Sequence, residues 1–313
     1  MQNIYTSFGG DSMNKLVIMF GLPGSGKDRL IKNHYFDCEV LSSDDLRAEL
    51  YGFEDQTHNK EVFDEMNRRT KELGRAGKNV VYNATNLNRG RRIALCQEMQ
   101  KFFSEIEICA AICPIDVLFE RNITREERHL PEDKLMQMIA SCQIPNAHEY
   151  PYSKIYFYRT GKLKEPESMR LTRIYDYDQN NKHHSEVLGV HIQRVAAYCL
   201  ANPMAYIAAL YHDLGKPFVR STDEEGFSHY FGHANVSAYL FLTDLLSQKE
   251  VHNKDFFLDI ALMIEFHDYI FSFDMDFERM KERFSARFSG LSDEFWEALR
   301  LLTLADRIRP ESA

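Results

Sequence analysis

The sequence predicts an α/β domain, a parallel sheet covered by helices, followed by an all-α domain. Three observations predict it. In the first half short apolar runs alternate with helical stretches, the pattern of βαβ units. A glycine-rich loop, GLPGSGK, stands between the first apolar run and the first helix. From about residue 184 onward the strand-like runs give way to apolar residues at helical spacing.

The elements follow in order. KLVIMF (15–20) reads as the first strand, with the glycine loop and a helix after it, and CEVLSS (38–43) as the second. Residues 61–77 have helical spacing and end at glycine. NVVYNAT (79–85) is the third strand, 89–103 a helix, and EIEICAAIC (105–113) the fourth strand. VLFERNITREER is helical and KIYFYRT (154–160) is the last strand. The texture changes at GKLKEPES, which places a boundary near 161–175, between domains at 14–162 and 175–313. Five helical runs follow, among them MAYIAALYHDL and FLDIALMIEFHDY. A chain of 313 residues suits two domains of roughly 100–200 residues each.

Composition narrows the function. No apolar run approaches the ~18 residues of a membrane span. The N-terminus lacks a signal peptide's basic start and apolar middle, and Met13 reads as a candidate start. A soluble, cytoplasmic protein without a membrane partner is expected. The six cysteines form no CxxC pair and read as reduced, buried thiols. The net charge of −9 excludes a globally basic nucleic-acid binder. Arginines concentrated in NRGRR and RNITREER leave room for a short acidic ligand held locally.

Gly21, Gly24, Ser25 and Gly26 lie between strand and helix, where glycines let backbone amides turn onto phosphates beside a helix N-terminus. Lys27 would reach the β- and γ-phosphates. Asp28 stands where such loops carry a Mg²⁺-binding Ser or Thr, and a carboxylate can ligate Mg²⁺ directly. These readings call for ATP, or another nucleoside triphosphate, with Mg²⁺. SSDDLR (42–47) follows the second strand and ATNLNRGRR (84–92) the third. Asp44 and Asp45 there are either site acids or a helix cap with its first-turn acid. Arg121 and Arg125, spaced i, i+4, either share one helix face over a polyphosphate or form a solvated basic face.

Together with GLPGSGK and RNITREER, these stretches resemble the 5′-polynucleotide kinases, over about residues 14–160. The resemblance implies that Asp44 takes the proton of the attacking 5′-hydroxyl and Arg47 contacts the acceptor's phosphate. It implies that Arg121 and Arg125 close on the donor phosphates. Asn86, Arg91 and Arg92 would hold the acceptor. Ala84 replaces the family's Asp before TNL.

His191, then His212-Asp213, then Asp306 form a series spread over helices, with His233 and His267 between. Such ligands can converge on one divalent ion; singly, each histidine would be structural. The order H…HD…H…H…D, with LYHDLGKP and LADRI, resembles the HD phosphohydrolase superfamily over about 175–310. The resemblance implies that His191, His212, Asp213 and Asp306 hold a first metal. His233 and His267 would hold a second metal or the phosphate, and Lys216 would bind phosphate. One or two ions of Mn, Ni, Co, Fe or Zn are expected. His183, His184, His229 and His252 fall outside the pattern.

The two halves together suggest nucleic-acid end healing: phosphorylation of a 5′-OH and removal of a 2′,3′-cyclic phosphate or 3′-phosphate. The partners would be RNA or DNA ends and a separate ligase. A small-molecule nucleoside kinase with a nucleotide phosphohydrolase is the alternative. So is a degenerate kinase half joined to an active HD half, a reading raised by Asp28 and Ala84.

Overall fold

The computed structural model describes residues 14–52, 57–125, 128–150, 152, 154–164, 166, 169–180, 186–248, 254–269, 276–285 and 288–308. Met13, His183, His184 and His252 lie outside them. The first half runs β1 (Lys15–Phe20), α1 (Lys27–His34), β2 (Glu39–Ser42), α2 (Ser43–Tyr51), α3 (Asn59–Arg75), β3 (Val80–Asn83) and α4 (Arg89–Met99). It continues with β4 (Glu105–Ile112), α5 (Ile115–Ile123), α6 (Glu132–Ala140) and β5 (Lys154–Arg159). The strands form one parallel sheet in the order β2-β3-β1-β4-β5.

β1 is central, and Leu16 to Phe20 are wholly buried, as a strand covered on both faces requires. Period-two alternation splits it. Leu16, Ile18 and Phe20 join the large apolar cluster, while Val17 and Met19 pack with Leu30 and Ile31 of α1. All six cysteines are free, and five of them are buried.

Some boundaries differ from the sequence expectation. β2 stops at Ser42, whose Oγ accepts from the Asp45 amide at 3.3 Å, so SSDDLR starts a helix. α4 ends at Met99 rather than 103. α5 ends at Ile123, where Thr124 Oγ1 donates to the Arg121 carbonyl and Asn122 Nδ2 to the Leu130 carbonyl. Such local side-chain bonds compete with the helix. Arg125 therefore lies past the helix end, not on one helix face with Arg121. α6 was not foreseen.

The second half holds α7 (Arg170–Arg173), α8 (Leu188–Cys199), α9 (Pro203–Tyr211), a short hairpin of β6 (Ser221–Thr222) and β7 (Ser228–His229), and α10 (His233–Leu245). α11 (Lys254–Phe266), α12 (Phe277–Ser285) and α13 (Asp293–Arg307) complete it. α9 begins on Asn202, whose side chain accepts from the Ala205 amide, with Pro203 in the first turn. It packs against α8, α10, α11 and α13. Among the described residues no helix is long and apolar enough to cross a membrane.

β5 ends at Arg159 and the next helix begins at Arg170, around the expected boundary, yet the core does not break there. One apolar cluster runs from the sheet through Leu135 and Ile139 of α6 to Val236 and Leu240 of α10. Tyr239 Oη donates to the Cys113 carbonyl at 2.8 Å and accepts from its amide at 3.1 Å. Asn235 donates to the Ala140 carbonyl at 2.7 Å. Gly232 takes a left-handed φ of 83°, and a Cβ there would meet that same carbonyl at 2.7 Å.

A buried ion network crosses the same boundary. Arg89 on α4 bonds Glu265 on α11 through both terminal nitrogens, at 2.5 and 2.9 Å, and Glu149 through Nε at 2.8 Å. Arg92 grips Glu149 at 2.9 to 3.1 Å. Removing one member of a buried pair leaves an uncompensated charge. Arg89→Ala should therefore cost about 3–5 kcal/mol in urea unfolding. Arg68→Ala, on exposed bonds to Glu65 and Glu72, should cost about 1 kcal/mol or less.

Candidate functional site

The first site lies at the C-terminal edge of the sheet, where parallel sheets place ligands. β1 runs into Gly21, whose amide donates to the Thr85 carbonyl after β3 at 3.1 Å. A Cβ on Gly21 would stand 2.5 Å from Ser25 Oγ and 2.7 Å from the Ala111 carbonyl. Gly24 and Gly26 turn with φ of 79° and 87°, a region glycine enters without strain. The chain then starts α1, so the loop opens at a helix N-terminus. Lys27 Nζ lies back on the loop, donating to the Gly21 and Leu22 carbonyls at 3.0 and 3.1 Å. Burial pulls its pKa down to about 8, against the opposing pull of Asp28 and Asp44.

Asp28 Oδ1 accepts from Asn83 Nδ2, at the end of β3, at 3.0 Å. Asp44 sits in the first turn of α2. Its Oδ1 is 3.0 Å from Arg47 Nη1 and its Oδ2 3.7 Å from Arg128 Nη1. Arg47 is buried and also donates to Asn59 at 2.8 Å. Arg121 donates to the Gly24 carbonyl at 2.9 Å and the Thr160 carbonyl at 2.6 Å, so its fork braces the loop. Burial lowers the Arg125 guanidinium below its ordinary range although Asp44 is close.

Among the described residues, four buried atoms of this cleft find no hydrogen-bond partner: Ser25 Oγ, Arg47 Nε, Asn83 Oδ1 and Arg125 Nη1. Buried polar atoms in native proteins are nearly always satisfied. A triphosphate supplies acceptors for the hydroxyl and guanidinium groups, and Mg²⁺ suits Asp28 and the Asn83 oxygen. The residues present fit that ligand.

Two expected acceptor contacts are corrected. Arg92 is 1% exposed; besides Glu149, it bonds the Asn86 and Leu87 carbonyls at 2.8 and 3.0 Å. It cannot reach a substrate without leaving Glu149 charged and buried. Asn86, at a left-handed φ of 47°, donates its amide to the Met19 carbonyl at 2.6 Å, tying the loop after β3 to β1. Arg91, by contrast, is exposed on the first turn of α4.

The second site is a cage inside the helical half. His191 comes from α8, His212-Asp213 follow the end of α9, and Asp306 comes from α13. His191 Nε2 stands 3.2 Å from His212 Nε2, 3.1 Å from Asp213 Oδ2 and 3.0 Å from Asp306 Oδ1. Asp213 Oδ1 faces a second group, 3.1 Å from His233 Nε2 and 3.7 Å from His267 Nε2. The six expected ligands thus gather as two sets that share Asp213.

The tautomers decide what the cage wants. The Nδ1 atoms of His212, His233 and His267 lie 2.6 to 2.8 Å from the carbonyls of Ala209, Tyr230 and Ile264. A carbonyl only accepts, so each Nδ1 carries its proton and, in the neutral ring, each Nε2 presents a lone pair inward. His191 differs: Arg194 Nη2 donates to its Nδ1 at 3.0 Å, so in the neutral ring its proton sits on Nε2, toward Asp213 and Asp306. The three inward lone pairs and the two carboxylates still favour a positive charge among them. Burial disfavours a charged His212, yet Asp213 and Asp306 outweigh it and push the ring up to about 10. Burial would raise both carboxylates, but the imidazoles hold each well below the ordinary range, helped at Asp213 by Lys216. Donors bound at ~2.1 Å to one ion stand roughly 3.0–3.5 Å apart; the separations from His191 and His233 fall in that range, and His267 to Asp213 and His212 to Asp306 are longer at 3.7 Å. The residues fit one or two divalent ions.

Lys216 is buried, 2.7 Å from Asp213 Oδ2 and 2.7 Å from Gln179 Oε1. Sequence reasoning missed Gln179, which belongs to no motif. It also missed Asn83 at Asp28, Arg128 at Asp44, and Thr160, whose hydroxyl bonds the Ser25 carbonyl. Only Arg128 left a signal, as the third arginine of RNITREER.

Two measurements follow. Affinity for a fluorescent ATP analogue should be flat below pH 8 and fall above it, approaching tenfold per pH unit as the Lys27 amine loses its proton; Lys27→Ala should bind weakly at every pH. Ligands that bind only the folded state stabilise it, by about 2.7 kcal/mol at a hundred times Kd. Chelation should therefore lower the Tm and Mn²⁺ or Zn²⁺ restore it, a response that His212→Ala should abolish.

A family model described as an AAA domain matches residues 16–145. The search of curated proteins finds no match. Among solved structures, the chain is similar to one in the Pnkp1/Rnl/Hen1 RNA repair complex, with 20% identity, 41% of this chain and 44% of that chain covered, and a TM-score of 0.38. This chain thus covers less than half the length of that one. A sugar kinase from Janibacter sp. HTCC2649 is similar at 16% identity, over 51% of this chain and 91% of that one, with a TM-score of 0.36. Residues 16–145, with their parallel sheet and glycine loop, fit an α/β domain of the P-loop kind, a fold that implies a nucleoside triphosphate with Mg²⁺.

Proposed function

We propose that the chain heals nucleic-acid ends, those of RNA above all. The P-loop half transfers the γ-phosphate of ATP to a 5′-hydroxyl. The helical half removes a 2′,3′-cyclic phosphate or 3′-phosphate. The observation that carries this reading is the pairing, on one continuous core, of a phosphate cradle flanked by Asp44 with a six-ligand cage flanked by Lys216.

In the cradle, phosphoryl transfer needs alignment and charge neutralisation more than covalent help. Lys27 and Arg125 neutralise the donor phosphates, and Arg121 keeps the loop in shape. Asp44 takes the proton of the attacking hydroxyl while Arg47 fixes its carboxylate. In the cage, His191, His212, Asp213 and Asp306 would hold a first divalent ion, and His233 and His267 a second with Asp213; such an ion would lower the pKa of a water for phosphoester hydrolysis near neutral pH. Lys216, held by Gln179, meets the negative phosphate. A separate ligase would join the healed ends.

A second reading, a small alcohol such as a nucleoside as acceptor, gains from the inward use of Arg92 and Asn86. Their loss leaves the acceptor side with fewer contacts.

Incubation with ATP, divalent metal and a 5′-OH, 2′,3′-cyclic-phosphate RNA oligonucleotide, read by end-group analysis, tests both. The expected product carries a 5′-phosphate and a 3′-OH. Lys27→Ala and Asp44→Ala should each cut 5′-phosphorylation at least a hundredfold and spare the 3′ end, while His212→Ala should do the reverse. Preference for a free nucleoside over the oligonucleotide would establish the second reading instead.

A further inference from the structure

The cage is covered unevenly. The side chains of His191 and His212 are 0% exposed, and those of Asp213 and His267 are 2%. His233 is 7% and Asp306 12% exposed. Asp306 and, among the histidines, His233 are thus the least covered of the six. His233 is the last residue of a tight turn closed by its amide on the Tyr230 carbonyl at 3.1 Å, with Gly232 left-handed in the third position. Phe231 fills the second position, and its side chain is 80% exposed.

That ring is not a stray apolar group on a loose loop. It lies parallel to the His229 imidazole, with centroids 5.7 Å apart and planes within 1°. His229 Nε2 is 2.8 Å from Asp223 Oδ2, and Asp223 Oδ1 accepts from the Glu225 and Phe227 amides. On the other side Gly232 and Asn235 are seated on Ala140 of α6. A flat aromatic pair is thus clamped at both ends and held into solvent beside His233, the least covered histidine of the cage. Leaving an aromatic face in water is unfavourable, and a second flat ring laid on it would remove that cost.

We propose that His229 and Phe231 form a platform on which the terminal base of a nucleic-acid strand stacks while its phosphate enters the cage past His233. The inference rests on the phosphohydrolase reading above and adds the element that would recognise its substrate. Stacking is tolerant of sequence, because every base offers a π-face. The platform therefore selects strand ends over small phosphate esters without selecting a sequence.

The test uses the full chain loaded with Mn²⁺ and a fluorescently labelled oligonucleotide ending in 3′-phosphate, read by anisotropy. Phe231→Ala should weaken binding about tenfold, and Phe231→Trp should retain it. In turnover, the loss should fall on KM for the oligonucleotide, lowering its selectivity over p-nitrophenyl phosphate by the same factor. Equal affinity of wild type and Phe231→Ala, or equal loss with Trp and Ala, overturns the platform. Wild type that cleaves p-nitrophenyl phosphate but does not bind the oligonucleotide also overturns it while leaving the phosphohydrolase reading intact. Failure of the loaded wild type with both substrates overturns both.

Discussion

Arg89 is the constraint on which the architecture turns. Its guanidinium is stripped of water and lies between Glu149 and Glu265, with the rings of Phe266 and Phe288 over it at 5.6 and 5.2 Å. Neither carboxylate can withdraw without leaving charge in a poorly polarisable surrounding. α4 and α11 are thereby fixed to each other, and His267 comes two residues after Glu265. On the other side Arg92 holds the Asn86 and Leu87 carbonyls, Asn86 holds β1, and the Thr85 carbonyl takes the amide of Gly21. The network stands between the two sites, and bonded neighbours lead from it to each.

The sites are electrostatic opposites. The cradle gathers Lys27, Arg47 and Arg125, with donors that lack acceptors. The cage gathers two carboxylates and the inward Nε2 lone pairs of His212, His233 and His267 around a centre that favours positive charge. A net charge of −9 is compatible with both, because each pocket is defined by a few desolvated groups and not by the field of the whole surface.

Much of this was legible in the sequence where a single geometry demands particular residues. The glycines of GLPGSGK are forced by positive φ and by the contact of Gly21 with Ala111. The His and Asp series could be read because few other uses bring those residue types together on apolar helices, and the structure gathers their donor atoms. What stayed hidden depends on distant partners. An arginine looks the same in sequence whether it faces a ligand or an internal acid, and Arg92 finds Glu149 only through folding. The end of α5 was hidden because NITREER has helical composition, while Asn122 and Thr124 turn the chain by local bonds. α6 was hidden because only Leu135 and Ile139 mark its buried face.

The hydroxyl of Tyr239 carries one more consequence. It answers both the amide and the carbonyl of Cys113, at the end of the strand beside the phosphate loop. Neither half is a portable module. Grafted alone onto another scaffold, the first would bare a main-chain pair deep in its interior and the second an orphaned phenol. Recombination that swapped one half for a cousin would have to carry the matching surface along.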